Sequence, residues 1–120
     1  VQLDKISPSS ASREILKTNS LIYHITGTYP TCLRPPYGAW KKDLELPVTM
    51  LPVFWDVDTL DWQSQNPESI LDIVRQNVQD GSIILMHDSY DSSVRAALAI
   101  TDELTEKGYD FVTADQLLDP

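Results

Sequence analysis

Between Gly81 and His87 the chain reads Ser82-Ile83-Ile84-Leu85-Met86, so its last four positions carry no polar side chain. A strand with one wet face alternates apolar and polar residues, because successive side chains point to opposite faces. Four apolar residues in a row are what a sheet covered on both faces requires, the condition of parallel sheets flanked by crossover helices. The neighbouring sequence supplies such helices. Asn66-Pro67 opens a helical pattern in which Ile70, Ile73, Val74 and Val78 share a face, with Gly81 stopping it. Another helix is expected from about Ser93 to Lys107, burying Val94, Ala97, Leu98, Thr101 and Leu104 and ending at Gly108.

The rest of the chain continues the alternation. Ser7-Pro8 is an N-cap followed by proline at the first helical position, and Ile15, Leu16, Ile22 and Tyr23 lie near one face of a helix that Gly27 ends. Thr31-Cys32-Leu33 is a short strand signal, broken by Pro35-Pro36, which lack the N–H a central strand needs. Residues 39–47 are expected as a loop or short helix, and Val53 to Val57 as a strand rich in β-branched and aromatic types. Asp110-Phe111-Val112 is a last strand, and Thr113 to Gln116 fits a capping box with Val112 and Leu117 as its staple. The order α-β-β-α-β-α-β-α predicts an α/β chain built on a parallel sheet or barrel. Four strands fall short of the eight, and 120 residues of the ~250, of a complete barrel. The chain is therefore a small open sheet or part of a barrel.

Composition removes some function classes. Eighteen acids against nine bases leave a formal charge of −9, the wrong sign for a surface that must neutralise phosphates, so no nucleic-acid partner is expected. No apolar run approaches the ~18–20 residues of a membrane span. The single cysteine, Cys32, allows no intrachain disulfide and no cysteine-based zinc site, and is expected as a buried small residue on a strand.

Three chemically capable residues directly follow apolar strand signals: Arg34, Asp58 and His87. Parallel strands share a direction, so all three emerge at one carboxyl edge, where α/β folds place catalysis. A carboxylate there orients an imidazole and favours its protonated form. The imidazolium can pass a proton to a leaving group, and the guanidinium can grip a second carboxylate through paired hydrogen bonds. The alternative is a buried ion network that ties loops together. His24 lacks a companion at metal-ligand spacing and is expected on the surface or partly packed. Asp56 and Asp58 point to one face of a strand while Asp61 belongs to the following loop, so no three-carboxylate metal cage is expected and no metal ligand is assigned to this chain. Among the tryptophans, Trp40 and Trp55 are expected in the core. Trp62 is the exception, beside the presumed site.

At these residues the sequence resembles the polysaccharide deacetylases of carbohydrate esterase family four. Arg34-Pro35-Pro36-Tyr37-Gly38 matches that family's Arg-x-Pro-Tyr motif, Asp58-Thr59-Leu60-Asp61-Trp62 its Asp-x-x-Asp-Trp motif, and Leu85-Met86-His87-Asp88 its Leu-x-His motif. Within the family, Trp55-Asp56-Val57-Asp58 and the run Gly81 to Asp88 are most similar to streptococcal-type peptidoglycan N-acetylglucosamine deacetylases. The resemblance implies a distorted (β/α) barrel and removal of acetyl groups from a cell-wall polysaccharide, N-acetylglucosamine of peptidoglycan first, with chitin or xylan as alternatives. It implies that His87 is the general acid, Asp58 tunes it, and Arg34 orients the catalytic-base aspartate. Tyr37 would offer its backbone N–H to the oxyanion, Leu85 would line the acetyl pocket, and Trp62 would wall the groove. The family's Thr-Phe-Asp-Asp-Gly and His-Ser/Thr-x-x-His motifs, which supply the base and the metal ligands, are not in this sequence. Residues 1–120 are therefore expected to be the C-terminal part of one catalytic domain, with the N-terminal strands missing. A divalent metal, zinc by expectation, would be held by residues absent here, and the chain alone would be inactive. Such an enzyme would work outside the cell or at its surface. The competing class is a non-catalytic carbohydrate-binding remnant that contacts sugar through Trp62 and Tyr37.

Overall fold

A computed structural model describes residues 1–40 and 50–118. Of the loop or short helix expected over 39–47, all but the first two residues lie outside this range. The chain divides into two compact units, Val1–Phe54 joined by Leu118, and Trp55–Leu117.

In the first unit, helix α1 spans Pro8–Thr26. Its start follows from local chemistry: the Ser7 hydroxyl accepts the Ser10 N–H at 3.2 Å, and proline at the first position lacks the N–H that would go unbonded there. It ends where Gly27 takes φ 76 and donates its N–H to the Tyr23 carbonyl at 2.8 Å. Ala11, Ile15 and Asn19, four residues apart, form the buried face. Leu16 and Tyr23, expected on it, are exposed. The difference arises because Asn19 is usable inside: its amide donates to the Met50 sulfur at 3.3 Å. Leu3, Ala11, Ile15 and Met50 make this core, with Ile6, Leu33 and Trp40 packed on it. Strand β1, Cys32–Leu33, pairs in parallel with β2, Leu51–Pro52. Cys32 is half-buried rather than enclosed.

The second unit holds the other parallel pair. Strand β3, Val57–Asp58, lies beside β4, Ile84–Leu85, with Val57 opposite Ile84 and Asp58 opposite Leu85. Of the strand expected over Val53–Val57 only Val57 is in a strand, β2 ending just before Val53, and the boundary between the units falls inside the segment. Helices α2, Asp61–Ser64, and α3, Pro67–Asn77, form the crossover from β3 to β4. Asn66 caps α3 by accepting the Ser69 N–H at 3.1 Å. After β4 come α4, Asp91–Glu106, and α5, Ala114–Leu118.

Val57, Ile70, Leu71, Val74, Ala96, Ile100 and Leu104 form the core of this unit. The face of α4 it buries is Ser93, Ala96, Ile100 and Leu104, whereas Val94 and Leu98 are exposed. Only Leu104 of the expected face is right, and the reason is Ser93, a polar residue that belongs to the buried stripe. Arg75 of α3 also ties to Glu103 of α4, its Nη2 lying 2.8 Å from Oε1. The strand expected over Asp110–Val112 does not form, and Phe111 and Val112 are exposed. The capping box after it does form in part, with the Thr113 N–H donating to Gln116 Oε1 at 3.1 Å. Among the described residues no helix is long and apolar enough to cross a membrane.

Candidate active site

The site grows out of the β3–β4 register. With Asp58 opposite Leu85, residues 59–61 and 86–87 leave the two strands at the same carboxyl edge. Thr59, fully buried, extends the tie by donating its hydroxyl to the Leu85 carbonyl at 2.8 Å. Leu60 then adopts φ 51, a left-handed conformation that costs a branched side chain energy. Asp58 holds it there: its Oδ1 accepts the Leu60 N–H at 3.1 Å, an Asx turn. The sharp bend makes Asp61 the first residue of α2 and turns its carboxylate inward, where it is completely buried.

Asp61, not Asp58, is the partner of His87. Its Oδ1 lies 2.9 Å from His87 Nδ1, while its Oδ2 accepts the His87 backbone N–H at 2.7 Å and the Ser93 hydroxyl at 2.7 Å. The expected Asp58–His87 pairing is therefore corrected, because the Asp58 carboxylate is engaged by the Leu60 turn. Burial works to raise the Asp61 carboxyl, but the hydrogen bonds from Ser93 and His87 and the attraction of the imidazole outweigh it. The carboxyl is held below the ordinary aspartate range. An ionised carboxylate can only accept, so Nδ1 carries the proton that faces it, and Nε2 is left as the working nitrogen. The His87 side chain is 38% exposed, so one edge of the ring is fixed and the rest is open.

Asp56 has a separate task. Its carboxylate accepts the Ile83 N–H and the Ser82 hydroxyl, fixing the entry into β4. The three aspartates thus serve three different sets of donors, and among the described residues no group of three or more His, Cys, Asp or Glu could hold a metal ion. The described residues do not fit a metal centre.

Of the other expected site residues in this unit, Leu85 is buried at the end of β4 and Trp62 is half exposed in α2, next to Asp61. In the first unit, Arg34 is exposed, and no ion pair joins it to the described residues. Tyr37 sits at φ 60 in the turn Pro36–Gly38 and is 83% exposed. A tyrosine in the left-handed region is uncommon.

The sequence reading missed Asp61 and Ser93 as site residues. A signal for each was present: Asp61 is the second acid of Asp-x-x-Asp-Trp, and Ser93 continues the apolar stripe Ala96, Ile100, Leu104 at helical spacing. With His87 they place a buried carboxylate on one ring nitrogen and leave the opposite nitrogen accessible, an arrangement able to serve as a general acid.

Residues 1–51 match the polysaccharide deacetylase family. Over 115 residues the chain is 40% identical to the peptidoglycan-N-acetylmuramic acid deacetylase PdaC of Bacillus subtilis, an alignment covering 96% of the chain and 25% of that protein. It is 36% identical over 116 residues to the peptidoglycan-N-acetylglucosamine deacetylase PgdA of Listeria monocytogenes, covering 97% of the chain and 25% of that protein. The chain spans about a quarter of the length of these curated relatives. A solved structure of PdaC from Bacillus subtilis superposes with a TM-score of 0.93 at 39% identity, covering 99% of this chain and 59% of that one. The fold is accordingly part of the deacetylase fold, and deacetylases of this family are metal-dependent. Alike in sequence over nearly its whole length and alike in fold, the chain belongs to the polysaccharide deacetylase family, carbohydrate esterase family four.

Proposed function

We propose that this chain is the C-terminal part of a metal-dependent deacetylase that removes N-acetyl groups from a cell-wall polysaccharide, N-acetylglucosamine of peptidoglycan in the first place. The observation that carries the reading is the fully buried Asp61 bonded to Nδ1 of a partly open His87. Water adds to the amide carbonyl carbon, its proton going to the catalytic-base carboxylate. As the carbon–nitrogen bond then breaks, the imidazolium gives its Nε2 proton to the departing amine, and the carbonyl carbon leaves as acetate with the water oxygen. Asp61 keeps the ring turned toward that task and stabilises its charge. Arg34 is assigned to orienting a catalytic-base carboxylate, Tyr37 to offering its backbone N–H to the oxyanion, Leu85 to the acetyl pocket and Trp62 to the groove wall. The divalent metal, zinc in this reading, is assigned to residues outside this chain. Peptidoglycan as substrate is supported by the activities in the relatives' names, and an enzyme acting on it would work outside the cell or at its surface.

The competing reading, a non-catalytic carbohydrate-binding part using the exposed Trp62 and Tyr37, needs neither Asp61 nor His87. Acetate release from peptidoglycan, chitin oligosaccharides and acetylated xylan by the longer protein that carries this chain separates the two. Release from peptidoglycan, lowered ~10²- to 10⁴-fold by His87→Ala in folded protein, is the expected result. Binding of the polysaccharide with no release from any substrate would establish the non-catalytic reading instead.

A further inference from the structure

We infer that Ser93, at the first turn of α4, is a positioning residue that fixes the rotation of the Asp61 carboxylate and so keeps one of its oxygens for the His87 ring. The inference rests on the proposed role of His87 as general acid.

A carboxylate on a short stem has a soft terminal torsion, so each hydrogen bond it accepts helps to set its rotation. Asp61 takes two contacts from His87, the backbone N–H on Oδ2 and the ring on Oδ1. The Ser93 hydroxyl, 2.7 Å from Oδ2, is a third anchor and comes from a separate element. It is 1% exposed, so water has little access to take its place. The hydroxyls of Thr18, Thr26 and Thr101 bond the carbonyl four residues back within their own helices. Ser93 instead spends its hydroxyl on the carboxylate, from a face otherwise made of Ala96, Ile100 and Leu104.

Several nearby charges have partners of their own. Asp58 is bonded to the Leu60 N–H, and Asp91 of α4 is paired with Arg95 at 2.7 Å. Glu68 and Asp72 of α3 lie 3.8 and 3.0 Å from Arg75, and Glu103 of α4 lies 2.8 Å from it. Asp88, next to His87 in the chain, is exposed, and Tyr90 precedes α4 half-buried. Among the described residues, His87 is the one titratable group hydrogen-bonded to Asp61.

The test uses the full-length protein that carries this chain, with Ser93→Ala, Ser93→Cys and Ser93→Thr. Cysteine keeps the volume and fills the site but is a weak donor, whereas threonine keeps the hydroxyl. Two quantities are measured: kcat and KM of acetate release, and the proton NMR resonance of the His87 Nδ1–H. With alanine or cysteine, kcat falls about tenfold while KM changes less than twofold, a loss of the size one charge-assisted hydrogen bond supplies. The Nδ1–H resonance broadens as the proton exchanges with water. Threonine restores both. A hydroxyl that merely packs would lower thermal stability in all variants and move neither readout. Unchanged kcat and resonance in folded Ser93→Cys would overturn the inference. Should the protein release no acetate from any substrate, the proposed function fails, and the resonance comparison still decides whether Ser93 positions Asp61.

Discussion

Asp56, Asp58 and Asp61 lie within six residues and bear the same side chain, yet backbone geometry gives each a different task. Asp56 accepts from Ser82 and Ile83, Asp58 from the Leu60 N–H, and Asp61 from His87 and Ser93. Substitution by asparagine should separate the last two. Asp58→Asn keeps an oxygen that can accept the Leu60 N–H, so turnover should stay within about twofold of the parent. Asp61→Asn puts an amide where a carboxylate holds the His87 ring, so kcat should fall about tenfold or more. Stability should respond as well. The Asp61 carboxyl titrates below its ordinary value of 3.8, so the stability it contributes is present above that pH and fades as pH falls toward the folded-state value. Asp61→Asn should remove that part of the acid dependence in urea titrations carried below pH 3.8. If Asp58→Asn lowers turnover while Asp61→Asn does not, the assignment of the pair is wrong. The motif that holds both acids was legible in the sequence, as was the edge they share with His87. Which acid turns inward was not, because it depends on Leu60 adopting φ 51, and leucine gives no warning of that.

At the scale of elements, the helices were readable where capping chemistry and apolar spacing agree. Ser7-Pro8 and Asn66-Pro67 open α1 and α3 as their residue types dictate, and Gly27 closes α1. Faces were less readable. On α1 and α4 the buried stripe includes a polar residue, Asn19 and Ser93, so a search for apolar residues alone selects a neighbouring face. Strands were less readable still, since pairing with a partner, rather than β-propensity, left only Val57 of Val53–Val57 in a strand and none of Asp110–Val112. The face observed for α4 makes a direct prediction. Ile100, 3% exposed, packs with Val57, Ile70 and Val74 in the core of its unit. Ile100→Ala leaves a cavity there and should cost about 2–5 kcal/mol in urea unfolding, with the slope against urea unchanged. A loss below about 0.5 kcal/mol, the range of an ordinary surface substitution, would place Ile100 outside the core.

For the whole molecule, the central matter is the division of chemistry between this chain and the rest of a deacetylase. The family's deacetylases are metal-dependent, yet the described residues include no set of side chains that could hold a metal ion. The Asp61 bond occupies Nδ1 at 2.9 Å and leaves Nε2 of His87 open, an arrangement that suits a proton donor and a metal ligand alike. The proposed function gives His87 the proton, and metal content decides between the two. In the longer protein, His87→Ala should nearly abolish acetate release while the metal content per molecule stays equal to that of the parent, as measured by elemental analysis after gel filtration. Stripping the metal with a chelator should also stop release, and adding zinc should restore it in the parent but not in His87→Ala. The two losses have different origins, so only the first survives metal replacement. If His87→Ala arrives depleted of metal, and saturating zinc then restores turnover, His87 is a ligand and the proton-transfer role falls.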